Sequence, residues 1–187
     1  MYCRKIELYL NPVLDKNNYI CTLLLIPTFI SNNTMKKEYS LDELLHKAAS
    51  YCSISEHCVS EVEDKLNAWC IGFDDKSTII NRLMEEDFIN EKRYCAYFVK
   101  DKFRFNKWGK IKISYALKQK GLGNDLINAA LATIDDGEYE EMLASLLKTK
   151  LAGLKYEFEY EKQGKLFRFA QSRGFENNVI ERALRNI

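Results

Sequence analysis

The sequence predicts an all-α fold: three tandem three-helix repeats in an elongated, curved body, behind an irregular N-terminal extension. Three observations predict it. Only two prolines and eight glycines interrupt the 187 residues, and Leu, Lys, Glu and Ala abound. After residue 35 no alternating strand pattern with hairpin turns occurs. One helical stripe also recurs at a fixed spacing. Gly121 is followed by Leu126, Ile127, Ala130, Leu131 and Ile134, and Gly174 by Val179, Ile180, Ala183, Leu184 and Ile187, every position displaced by 53 residues. A looser copy follows Gly72, with Ile79, Ile80, Leu83 and Met84.

Residues 1 to 34 stand apart. They hold both prolines and an apolar run, YICTLLLIPTFI from Tyr19 to Ile30, too short to span a bilayer and without a small-x-small cleavage site behind it. Met35-Lys-Lys-Glu-Tyr-Ser40 reads as a natural start, so the expectation is that Met35 initiates the protein and that 1 to 34 form an upstream extension.

The body divides into repeats at 35–89, 90–136 and 137–187. In the first, Ser40 with Glu43 forms a capping box for a helix over 41 to 52, and Ser60 with Glu63 forms a second for a helix over 60 to 69, with Val62, Leu66 and Trp69 inward. In the second repeat, Asn90 and Glu91 open a helix over 90 to 105 whose apolar arc is Cys95, Phe98 and Val99. A break at Trp108-Gly109 precedes a helix with Ile113, Ala116 and Leu117 inward. The third begins with a helix from 138 to about 155, followed by one over 164 to 173 with Leu166, Phe169 and Ala170 inward. The aromatics Tyr156, Phe158, Tyr160, Phe167, Phe169 and Phe175 are expected in its core. Units of this size are small for independent stability, so neighbours should pack in series.

Charge is concentrated in the middle. Between Glu91 and Lys120 lie ten Lys or Arg and two acids, a net +8 in a chain whose total is +1. On the first helix of that repeat, Arg93, Tyr97, Lys100 and Arg104 recur at helical spacing and share one face. With Lys107, Lys110, Lys112 and Lys118 they form a candidate surface for an anionic partner, either phosphates or an acidic protein. The bland alternative is a solvated helix face. A second basic set is Lys148, Lys150, Lys162, Lys165, Arg168 and Arg173, with Lys155 nearby. Between them, 121 to 147 carry six acids and no Lys or Arg.

Catalytic signatures are missing: there is no GxxxxGK[ST], GxGxxG, HExxH or GxSxG. The expectation is a non-enzyme with no cofactor, no metal and no catalytic residue. Cys52, His57 and Cys58 lack the ligand set of a zinc site.

The run Phe88-Ile-Asn-Glu-x-Arg93-Tyr94-Cys95-x-x-Phe98-Val99, then Trp108-Gly109-x-x-Lys112-Ile113, Leu117-x-x-Lys120-Gly121 and Arg173-Gly174-Phe175, resembles the signature of the RecX family, regulators of the RecA recombinase. The likeness covers roughly 41 to 187. One departure is Cys70, near a position that is usually Gly. The resemblance implies a cytoplasmic, monomeric regulator that lies in the groove of the RecA filament on single-stranded DNA. It would suppress ATP hydrolysis, strand exchange and filament growth, contacting RecA and single-stranded DNA, with non-specific duplex binding and no membrane. The competing readings are a helix-turn-helix transcription factor and a helical scaffold for an acidic protein.

Overall fold

The computed structural model describes residues 39–187. The expectations for residues 1 to 34 and for Met35 lie outside them. Among the described residues there are nine helices and no strand: α1 Leu41–Ile54, α2 Val59–Ala68, α3 Phe73–Glu85, α4 Glu91–Arg104, α5 Lys110–Gln119, α6 Asn124–Leu131, α7 Asp136–Ala152, α8 Glu159–Arg173 and α9 Asn177–Leu184. They pack in threes: α1 and α2 on α3, α4 and α5 on α6, and α7 on α8 and α9.

Helix starts follow local chemistry. At α1, Ser40 accepts from the Glu43 amide and Glu43 accepts from the Ser40 amide, the expected capping box. Asn90 caps α4 by accepting from the Arg93 amide, and Asp135 caps α7 by accepting from Glu138. The capping box expected at Ser60 and Glu63 does not form. Cys58 is the N-cap residue of α2, and the Ser60 hydroxyl instead donates to the Lys120 carbonyl at the end of α5, 2.9 Å away. A partner distant in sequence outcompetes the local one. Helix α8 starts at Glu159 rather than Gly164, which is absorbed into its interior.

The middle helix of each repeat ends on the same device. Cys70 after α2 lies at φ 58°, and Gly121 after α5 and Gly174 after α8 lie at φ 82° and 88°. Each turns the chain through the left-handed region, in which a side chain is disfavoured and glycine is not. The cysteine at a glycine position is therefore a strained member of a repeated turn.

The interior is in two parts. Leu44, Ala48, Cys52, Val62, Leu66, Ile79, Ile80, Leu83 and Ile89 fill the first repeat. The second and third share one core running from Tyr94, Cys95 and Val99 through Ile113, Leu117 and Ile127 to Leu143, Leu147, Leu166, Phe175 and Ile180. Cys58, from the first repeat, lies in this second core. No charged or polar residue is buried among the described residues.

The aromatic expectation for the third repeat holds only in part. Phe175 is fully buried, and Phe167 and Phe169 pack against the core. Tyr156, Phe158 and Tyr160 are exposed, with the Phe158 and Tyr160 rings stacked at 5.7 Å. They lie between α7 and the first turn of α8, where the chain runs over the surface and no helix covers them.

Candidate partner-binding surface of the central repeat

Helix α4 buries Tyr94, Cys95, Val99 and Phe103, which leaves Arg93, Tyr97, Lys100 and Arg104 on its exposed side. All four are solvent-facing, but they are not equivalent. Arg93 Nε lies 2.5 Å from Glu56 and its Nη1 2.8 Å from Asp87, so it fastens α4 to the first repeat. Arg104 lies 3.5 Å from Glu138 on α7. Tyr97 and Lys100 have no such partner.

The rest of the basic set divides the same way. Lys110 pairs with Asp136 at 3.0 Å and sits over the Tyr139 ring. Lys112 is half-buried and lies over the Trp108 ring, 4.7 Å from its centroid. Lys107, in the turn at φ 57°, and Lys118 on α5 form no ion pair. The cations without an intramolecular acid on this repeat thus include Lys100, Lys107 and Lys118, with Tyr97 beside Lys100 on α4.

Two joints hold the central repeat. Towards the first repeat the joint is polar. Glu61 on α2 accepts from Tyr94 at 2.8 Å and Lys120 at 2.5 Å, and its other oxygen meets His57 at 2.9 Å. Burial alone would raise the Glu61 pKa, but the hydrogen bonds from Lys120, His57 and Tyr94 outweigh it and hold the carboxyl below its usual range. Burial, reinforced by Glu61, pushes the Tyr94 phenol far above its ordinary value, so it stays a donor.

Towards the third repeat the joint is backbone on backbone. The Gly109 amide donates to the Arg173 carbonyl at 2.9 Å and the Ile111 amide to Gly174 at 3.0 Å. A Cβ on Gly109 would sit 2.2 Å from the Gly174 carbonyl oxygen, and one on Gly174 2.3 Å from Lys112 Cβ. Tyr139 completes the joint by accepting from the Lys110 amide and donating to Glu176. The Trp108-Gly109 and Arg173-Gly174-Phe175 motifs, far apart in the chain, are two halves of one contact.

The second basic set is more dispersed. Lys162 pairs with Glu159 and Lys165 with Glu161, while Lys165 also donates to the Lys155 carbonyl. Lys150 and Arg173 both approach the Phe169 ring, and Arg173 donates to the Asn106 carbonyl. Lys148 and Arg168 are exposed. Among the described residues, no three His, Cys, Asp or Glu side chains are placed to hold a metal, and no helix is long and apolar enough to cross a membrane.

The sequence places helix α5 and its inward face but not the apolar side chains of its outer face. The outer side of the helix carries Ile111 and Tyr115, exposed by 54% and 65%, and the turn before it carries Phe105, exposed by 80%. The helical spacing that placed Ile113 and Leu117 inward also puts Ile111 and Tyr115 outward, and that was the available signal.

Tandem three-helix units whose polar groups lie at joints and on outer faces define a helical-repeat protein. Comparison with known proteins agrees. Residues 90–131 match the model of the RecX second three-helix domain, and 138–184 that of the third. The chain belongs to the RecX family. A regulatory protein RecX of Clostridium botulinum strain Eklund 17B is 35% identical over 123 residues, 65% of this chain and 57% of that protein. One of Acinetobacter baylyi is 28% identical over 159 residues, 85% of this chain and 97% of that protein. The crystal structure of RecX from Lactobacillus salivarius superposes with a TM-score of 0.71 at 26% identity, over 78% of this chain and 95% of that one. The chain spans little more than half the length of the clostridial relatives that it matches.

Proposed function

We propose that this chain is a cytoplasmic regulator that binds the RecA filament on single-stranded DNA along its groove. By stoichiometric binding it inhibits ATP hydrolysis, strand exchange and filament extension, without chemistry of its own. The observation that carries this reading is the set Lys100, Lys107 and Lys118 with Tyr97. These cations have no acid of their own, on the central repeat of a RecX-family chain, and are available to phosphates or to carboxylates of a protein lattice. Arg93, Lys110 and Arg104 support that surface by holding the repeat against its neighbours, and Lys112 lies beside them over the Trp108 ring. Lys148 and Arg168 would extend the contact onto the third repeat.

The test is a titration into RecA, ATP and single-stranded DNA, with ATP hydrolysis followed over time. Loss of hydrolysis supports the proposal, and loss at substoichiometric ratios points to capping of filament ends. Unchanged hydrolysis together with tight, sequence-selective duplex binding would replace it with a transcription factor.

A further inference from the structure

The outer face of α5 carries an apolar stripe that the fold does not require. Ile111, Tyr115 and Lys118 are spaced i, i+4 and i+7 and share one side of the helix. The buried pairs Val62 and Leu66 in α2, Ile113 and Leu117 in α5, and Leu166 and Ala170 in α8 align the middle helices of the three repeats. That alignment places Ser60 and Asp64 of the first repeat, and Gly164 and Arg168 of the third, at the positions of Ile111 and Tyr115. Two repeats build the same helix with polar side chains or none there, so the apolar pair is particular to the central one. Phe105, in the turn before α5, adds a third exposed apolar side chain.

Charge narrows the occupant. Helix α5, KIKISYALKQ, has no acidic side chain, and the unpaired Lys118 and Lys107 lie beyond either end of the apolar pair. An apolar centre between cations complements an acidic surface with an apolar cleft. Nucleic acid does not account for Ile111 at that centre. An exposed aliphatic side chain such as Ile111 has neither a polar atom for a phosphate nor an aromatic face for a base, whereas exposed Ile and Tyr together resemble the anchors of protein interfaces.

We infer that Ile111 and Tyr115 are the anchors by which the central repeat docks on an acidic protein surface, while the lysines without partners act electrostatically around them. This rests on the filament-binding reading and names its protein contact as the surface of a RecA protomer. The experiment compares wild type with the double variant Ile111→Ser, Tyr115→Ser in two binding assays. One uses RecA filaments assembled on single-stranded DNA with a non-hydrolysable ATP analogue, and the other a bare thirty-nucleotide oligothymidylate. Since both side chains are exposed, the variant should melt within a few degrees of wild type. The inference expects filament affinity to fall at least tenfold and oligothymidylate affinity to stay within twofold. The conservative pair Ile111→Leu, Tyr115→Phe should retain filament binding. Filament affinity within twofold of wild type overturns the inference while leaving the filament reading intact, and a parallel loss in both assays reassigns the stripe to nucleic acid. Failure of wild type itself to bind filaments removes the filament reading and the inference with it.

Discussion

Gly109→Ala isolates the joint between the second and third repeats. At φ −78° and ψ 164° the backbone of Gly109 is open to alanine, so the substitution introduces no conformational strain. Only the neighbour objects, since the new methyl would lie 2.2 Å from the Gly174 carbonyl oxygen, 2.3 Å from its carbon and 2.4 Å from the Phe175 nitrogen. All three are backbone atoms and cannot rotate away. Relief requires the helix starts to part by about 1 Å, which breaks the 2.9 Å and 3.0 Å hydrogen bonds between the repeats. Overpacking costs about 1–3 kcal/mol and each lost bond about 1 kcal/mol more, giving about 3–5 kcal/mol in all. In urea, with a slope of about 1.5 kcal/mol/M, the unfolding midpoint monitored by circular dichroism should fall by about 2–3 M. Gly123→Ala is the control: it also precedes a helix, at φ −68°, but nothing lies within 4 Å of its added methyl. Its cost should stay below about 1 kcal/mol. A midpoint for Gly109→Ala within about 0.5 M of wild type would refute the claim that the glycine is required by its neighbour.

Cys70→Gly should raise stability by about 0.5–1 kcal/mol, read as a higher melting temperature, because it relieves a side chain at φ 58°. Glu61→Gln should destabilise the protein at pH 7 by about 2 kcal/mol, since Tyr94 and Lys120 lose a charged acceptor. The folded-state pKa of Glu61 is depressed, so its contribution is complete above the unfolded value near 4.5 and is lost as pH falls through the lower folded value. The gap between variant and wild type in denaturation curves should therefore close in that acid range, and a constant gap would contradict the network. Replacing Lys100, Lys107 and Lys118 together by Gln should leave melting unchanged and weaken inhibition of the RecA ATPase. The log-log salt dependence of single-stranded DNA binding should lose about 2 units of slope, at about 0.7 per cation. Arg93→Glu, by contrast, should lower the melting temperature, because a third carboxylate would then face Glu56 and Asp87.

Periodicity carried the fold. The stripe repeated after Gly121 and Gly174, the Ser40 capping box and the inward Ile113 and Leu117 of α5 are all local, and each appears in the structure as the residues predict. Where the reading went astray, a distant partner or an absent one decided. Ser60 leaves its own helix start for the Lys120 carbonyl, and Tyr156, Phe158 and Tyr160 find no helix to cover them.

The candidate surface shows the same division. The residues alone determined that the centre of the chain is basic and that Arg93, Tyr97, Lys100 and Arg104 share a helix face, because spacing within one helix sets its faces. Only the tertiary structure decided which of those charges are free. Glu56, Asp87, Asp136 and Glu138 come from other segments to claim Arg93, Lys110 and Arg104, and an ion pair depends on distance through space, which the order of residues along the chain does not state. For the same reason the glycines of two separate motifs showed their purpose only when brought against each other.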